Sequence, residues 1–174
     1  TYTVIGELYD KETGESLGIT VEAEIGHVGT DEICAPADAY TDPDEAKRFA
    51  EFTGCDALAI AVGTSHGAYK FKPKLDFDRI EKIASMIDAP LVLHGGSGIP
   101  DAMVQEAVRK GVSKINVNTE LQLVFAAKTR EYIEAGKDKE GKGFDPRKLL
   151  APGFAACVDM VKYKIDVFGS TNKA

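Results

Sequence analysis

The sequence predicts an α/β protein built on a parallel sheet, and three observations carry that prediction. Four short apolar runs have the length of buried strands. Each is followed by a segment with helical periodicity, and polar or glycine residues gather where each run stops. The composition agrees: of 174 residues, 44% are hydrophobic and 28% charged, the balance of a soluble globular domain with a core of its own.

Residues 1–17 alternate loosely and turn at Asp10-Lys11-Glu12-Thr13-Gly14, which predicts a hairpin or edge strand without a motif. The strand–helix rhythm begins at Gly18. A first strand is expected over 19–25, where Thr20, Glu22 and Glu24 alternate with Val21, Ala23 and Ile25. One face then carries two carboxylates, which need a partner if buried, and a metal or a substrate is one such partner. A loop with His27, Asp31 and Glu32 follows. Asp42 then caps a helix with Pro43 at its first position, Glu45 in a capping-box-like place and Gly54 past its end. His27 reads as an ordinary loop residue.

The second strand, 57–62, runs into Gly63-Thr64-Ser65-His66-Gly67, and a short basic loop brings Lys70, Lys72 and Lys74. Asp76 caps a helix with Ile80, Ile83, Ala84 and Ile87 on one face. The third strand, 90–93, ends at His94 and a Gly95-Gly96-Ser97-Gly98 loop, with a helix expected directly from Pro100 to Gly111. The fourth, 114–117, leads to a helix that Thr119 and Gln122 are expected to open as a capping box. The polar run 136–143 reads as a mobile surface loop. Beyond it, Leu149, Leu150, Phe154, Val158, Val161 and Ile165 give a last helical region an apolar face, kinked or split near Pro152.

Four strand–helix units are half of the eight in a (β/α)8 barrel, which typically takes about 250 residues. The alternatives at this point are half a barrel or a small open sheet. In either, ligands bind outside the carboxyl ends of the strands. His66, His94 and Glu22 or Glu24 lie there, and two imidazoles with a carboxylate suit a zinc ion with one position left for substrate. The glycine loop and the segment Asn116, Val117, Asn118, Thr119 both stand before helices, so their amides and the hydroxyls of Ser97 and Thr119 suit a phosphate. A dinucleotide site is disfavoured, because the glycine spacing is not Gly-x-Gly-x-x-Gly and no suitably placed acid follows.

Net charge is -7 with both signs interspersed, which argues against a nucleic-acid surface. No apolar run is long enough to span a membrane, and no signal-like start is present, so a cytoplasmic location is expected. Cys34, Cys55 and Cys157 lack metal or disulfide spacing and read as reduced thiols.

In order, Val21-Glu22-Ala23-Glu24-Ile25-Gly26, Gly63-Thr64-Ser65-His66-Gly67, Leu93-His94-Gly95-Gly96-Ser97-Gly98 and Lys114-Ile115-Asn116-Val117-Asn118-Thr119 resemble the class II, zinc-dependent fructose-bisphosphate aldolases. Phe144-Asp145-Pro146-Arg147 and the ending Phe168-Gly169-Ser170-Thr171-Asn172-Lys173-Ala174 are similar to that family too, so the resemblance covers roughly residues 18–174 and leaves 1–17 unmatched. It implies the C-terminal half of a (β/α)8 TIM barrel. It also implies cleavage of fructose 1,6-bisphosphate to dihydroxyacetone phosphate and glyceraldehyde 3-phosphate, in glycolysis and gluconeogenesis. Tagatose-bisphosphate aldolases share the pattern.

By the same resemblance His66 and His94 are zinc ligands, with Glu24 a possible alternate ligand. Glu32 serves in proton transfer, with Asp31 its less favoured substitute. Gly67, Gly95, Gly96, Ser97, Asn116, Val117, Asn118 and Thr119 hold a substrate phosphate, with Na+ or K+ nearby. The expected assembly of the full-length protein is a homodimer or homotetramer, with a sugar phosphate as the only other partner and neither nucleic acid nor membrane. The family's first half, with an Asp-His pair that supplies a further zinc ligand, has no counterpart here, since no Asp-His dipeptide occurs. The implied activity therefore needs the rest of a barrel, and the competing reading is a sugar-phosphate-binding half-barrel without catalysis.

Overall fold

The computed structural model describes residues 18–27, 39–67, 69 and 72–173. The expected hairpin of residues 1–17 lies outside them, as do Asp31, Glu32, Cys34 and Lys70. The described residues fall into two compact units, one ending at Asn116 and one beginning at Val117.

In the first unit the elements alternate as predicted: β1 (Glu22–Ile25), α1 (Pro43–Thr53), β2 (Ala57–Ile60), α2 (Phe77–Ala84), β3 (Leu91–Leu93), α3 (Asp101–Arg109) and β4 (Val112–Ile115). The four strands form one parallel sheet in the order β1-β2-β3-β4. Asp42 caps α1 by accepting from the amides of Asp44 and Glu45, with Gly54 left-handed at the C-cap. Asp76 caps α2 by accepting from Arg79 N.

The strands are shorter than expected, and the fourth is displaced: the sheet takes Val112–Ile115 rather than 114–117. Gly111 returns the chain directly after α3, so Val112 already pairs with Leu91. Pairing then skips Ser113, since Val92 faces Lys114 and Leu93 faces Ile115. Ser113 is thus the extra residue of a β-bulge.

Because paired residues in a sheet share a face and side chains alternate, the register sorts every strand residue. Ala23, Ile25, Leu58, Ile60, Leu91, Leu93, Val112 and Ile115 face one way. Most are buried, together with Ala46 of α1, Ile80 and Ile83 of α2, and Val104 and Ala107 of α3. This layer between sheet and helices is the core. The opposite, inner face carries Glu22, Glu24, Ala57, Ala59, Val92 and Lys114. Thr41 ties the ends of β1 and β2, its Oγ1 donating to Ile25 O and accepting from Ala61 N.

The second unit pairs two long helices, α4 (Thr119–Glu134) and α6 (Ala151–Val167), joined by a 3-10 turn at Lys137–Lys139 and the single turn α5 (Pro146–Leu149). The run 136–143, read as a mobile loop, is folded into successive turns through Lys139 N to Gly136 O, Glu140 N to Lys137 O and Gly143 N to Glu140 O. The expected split occurs at Leu150, which leaves Pro152 in the first turn of α6, where its missing N–H costs nothing.

The apolar face of that last helix is not the buried one. Leu150, Phe154, Val158, Val161 and Ile165 are all exposed, while Gly153, Lys164 and Val167 are buried. The helices lie close together at Gly153, where a Cβ would be 2.7 Å from Thr129 Oγ1, 2.8 Å from the Phe125 ring and 2.9 Å from Phe125 O. The Lys164 ammonium lies 3.0 Å from Glu120 Oε1 and 2.8 Å from Oε2.

Candidate active site

The inner face of the sheet collects the charged side chains. Glu22 and Glu24 stand two residues apart on β1 and so point the same way. His94 directly follows β3, two residues beyond Val92, and continues that face. His94 Nε2 lies 2.9 Å from Glu22 Oε1, and Nδ1 lies 3.0 Å from Glu24 Oε2. Lys114 Nζ donates to Glu22 Oε2 at 2.5 Å.

That last bond joins the first strand to the fourth. Three strand spacings amount to about 14 Å in a flat sheet, so the two chains meet because the sheet curls around this face. The intervening inner-face residues are Ala59 and Val92, small enough to leave the path open.

His66, exposed beyond the end of β2, completes the group: its ring centroid is 6.1 Å from that of His94. Burial acts to raise the Glu22 pKa, but hydrogen bonds and charge from Lys114 and His94 outweigh it and hold the carboxyl below its usual range. Two hydroxyls of the same strand end, Thr64 Oγ1 and Ser65 Oγ, are buried without hydrogen-bond partners among the described residues, a state that polar groups avoid unless something else meets them.

A tyrosine staples the two histidine loops. Tyr69 Oη accepts from Ser65 N and donates to Gly95 O, both at 2.9 Å. The loops also touch directly at Gly95, where φ is +67° and a Cβ would lie 2.3 Å from Ser65 O. Only glycine fits that approach.

The expected anion loops are built differently from the prediction. Pro100 is the N-cap of α3, so Gly98, buried Ile99 and Pro100 separate Gly95, Gly96 and Ser97 from the helix start. Gly96 N donates to Asn116 O at 2.9 Å, and Asn116 N to Leu93 O at 3.0 Å, so the Gly96 amide ties the loop to the end of β4. Ser97 is buried. In the second unit Thr119 is the first residue of α4 rather than its cap. Asn118 takes the cap position without a side-chain bond to the helix amides, so the Thr119–Gln122 capping box does not form.

The structure places Glu22, Glu24, His66 and His94 near one another and adds Lys114, which the sequence presents as an ordinary strand residue. No pattern in the sequence signals it, because Lys114 reaches the inner face only through the bulge at Ser113. The His27 amide donates to Ala39 O at 3.2 Å. Glu32 and Asp31 lie outside the described residues, and Gly67 follows His66 at the loop's exit.

The model for class II fructose-bisphosphate aldolases matches residues 11–173. The chain belongs to that family. Among solved structures it is similar to the YdjI aldolase of Escherichia coli K12, at 37% identity and a TM-score of 0.74 over 91% of this chain and 52% of that one. A fructose-1,6-bisphosphate aldolase candidate from Coccidioides immitis matches at 28% identity and 0.73, over 90% and 54%. The fold is shared at 24% identity with the fructose-bisphosphate aldolase of Campylobacter jejuni, with a TM-score of 0.73 over 91% and 54%.

The chain thus spans about half the length of the solved structures it matches, and its four parallel strands with their helices are half of an aldolase barrel. No helix among the described residues is long and apolar enough to cross a membrane.

Proposed function

We propose that this half-barrel carries part of the active site of a zinc-dependent class II aldolase acting on a ketose 1,6-bisphosphate. The reaction is reversible cleavage of fructose 1,6-bisphosphate to dihydroxyacetone phosphate and glyceraldehyde 3-phosphate, in cytoplasmic glycolysis and gluconeogenesis. The full-length protein is a homodimer or homotetramer. The observation that carries this reading is the pairing of His66 with His94 beside Glu24 on the inner face, in a chain of this family.

The donor set fits zinc in kind: two imidazoles and a carboxylate are a familiar catalytic combination. Among the described residues no three His, Cys, Asp or Glu side chains are already arranged around a common point, and the contact of Glu24 with His94 Nδ1 fills the space between ligand atoms. His66 and His94 would hold the metal, with Glu24 as alternate ligand. Zinc bound there supplies Lewis-acid polarisation of a ketone.

The protein's own groups do the rest. Glu32 moves a proton at the substrate carbon, with Asp31 as its substitute. Gly67, Gly95 and Ser97 bind a substrate phosphate beside a monovalent cation, for which the unpartnered hydroxyls of Thr64 and Ser65 are nearby oxygen donors. Gly96 shapes that loop. Asn116, Val117, Asn118 and Thr119 keep their assignment to a phosphate.

The test is retro-aldol cleavage by a chain that includes the rest of the barrel, with fructose and tagatose bisphosphates offered separately. Cleavage is expected to stop on chelation, to return with zinc, and to fall at least about 100-fold in His94→Ala. A full-length chain that holds no divalent metal and cleaves neither sugar overturns the reading, leaving sugar-phosphate binding without catalysis.

A further inference from the structure

His94 meets a carboxylate at each ring nitrogen, and the two contacts are unequal. Glu22 is fixed at both oxygens, by His94 through Oε1 and by Lys114 through Oε2. Glu24 is fixed at one, and has no basic partner besides His94 among the described residues. A metal-bound imidazole gives one nitrogen to the metal and donates the other N–H to an anchored acceptor, which sets the ring's tautomer and plane. Glu22 has that anchoring, and Glu24 stands on the other side of the ring.

We propose that Lys114 is a positioning residue: through Glu22 it holds the His94 Nε2–H and presents Nδ1 as the ligating atom. The proposal rests on the zinc reading above.

The bulge at Ser113 supports it independently. Without that extra residue Lys114 would pair with Leu93, on the face where Leu58, Leu91 and Ile83 are fully buried, and an ammonium there would lack a partner. The insertion shifts its pairing to Val92 and turns it to the inner face. Bulges re-aim side chains in this way beside active sites. Lys114 is half exposed, so it does not serve to fill the core.

The sign of its effect separates positioning from plain electrostatics. A lysine acting only through its charge repels a nearby dication, so its removal would tighten zinc binding. A lysine that orients a ligand gives the opposite result.

The experiment measures zinc affinity by competition with a chromophoric chelator, using a chain that includes the rest of the barrel as the parent, with its Lys114→Met, Lys114→Arg and His94→Ala variants. Ring 15N shifts of the zinc-loaded chain report which His94 nitrogen is metallated. Lys114→Met is expected to weaken binding about 10- to 100-fold and Lys114→Arg to recover most of it, with Nδ1 metallated and Nε2 protonated in the parent. Should Lys114→Met fail to fold by circular dichroism, Lys114→Ser, too short to reach Glu22, removes the same anchor and must give the same loss. Unchanged or tighter binding, or zinc on Nε2, overturns the positioning role and leaves the zinc reading standing. A parent chain with no zinc uptake dependent on His94 overturns the zinc reading, and this inference with it.

Discussion

The two units of the chain bury their side chains by opposite rules. In the sheet unit, one face is wholly apolar under the helices, and the other sets Glu22, Glu24 and Lys114 among Ala57, Ala59 and Val92. In the helix unit, the buried places of α6 are Gly153, Lys164 and Val167, while an apolar stripe from Phe154 to Ile165 stays accessible. A strand has two faces and a fixed period of two, so hydrophobicity alone decides which one is covered. A helix pair seats where the backbones come closest, and a glycine or a paired charge decides that as strongly as apolar area does.

The strongest way to break the comparison is at the sheet's core. Leu58 is completely buried, and Leu58→Ala is expected to destabilise the sheet unit by about 2–5 kcal/mol, from lost burial and the cavity left behind. Urea denaturation followed by amide signals of the sheet measures it. A loss under about 1 kcal/mol would mean that the layer between sheet and helices is loosely packed.

In the helix unit the counterpart of Leu58 is a charge. Lys164 retains only 8% side-chain exposure and Glu120 24%. Removing one partner strands the other in a poorly hydrated place, so Lys164→Ala is expected to cost about 3 kcal/mol. The double change Lys164→Met with Glu120→Leu is expected to recover most of it, because an ion pair is replaced by packing. Thermal melts of the parent, Lys164→Met, Glu120→Leu and the double variant form the cycle. Additive losses in the double variant would show that the two side chains act separately.

This contrast also explains how far the sequence could be read. The strand–helix order, the Asp42 and Asp76 caps and the inner-face pairing of Glu22 with Glu24 follow from local chemistry: periodicity, a capping carboxylate, alternation. His66 and His94 were legible because each ends a strand at a glycine loop. Lys114 was not legible as a site residue, because its direction depends on one inserted residue that only the pairing with β3 reveals. The stripe from Phe154 to Ile165 was legible as an apolar face but not as an exposed one, because a helical period does not say what covers it. Gly96 was misread for a similar reason: its amide looks free in the sequence, yet the neighbouring strand end takes it.

A smaller effect concerns the turn between the long helices. Asp145 caps α5 by accepting from Arg147 N, and it also pairs with the Arg147 guanidinium. The guanidinium and then the Arg147 amide hold its carboxyl below the ordinary aspartate value of 3.8. A lowered folded pKa means that this contribution is complete above the unfolded value and is lost as pH falls through the folded one. The α5 turn is therefore expected to fray below about pH 3.8, as read from amide exchange of Lys148 and Leu149. Asp145→Asn, which still caps but does not titrate, is expected to remove that pH dependence. Fraying that persists unchanged in Asp145→Asn would assign it to other carboxyls.

The smallest expected effect sharpens the comparison most, because it is close to zero where the sequence pattern demands a large one. Phe154 sits at the centre of the apolar periodicity of α6 and is 68% exposed. If it were the core residue that its spacing suggests, removing the ring would cost about 3–5 kcal/mol. Exposed as it is, Phe154→Ser is expected to change stability by no more than about 0.5 kcal/mol, with the Lys164–Glu120 pair and the close approach at Gly153 left intact. Gly153→Val is the matched control, since its side chain would enter space held by the Phe125 ring and backbone. Thermal melts that ranked Phe154→Ser as the more damaging of the two would place the stripe back in the core and reverse the rule drawn for this helix pair.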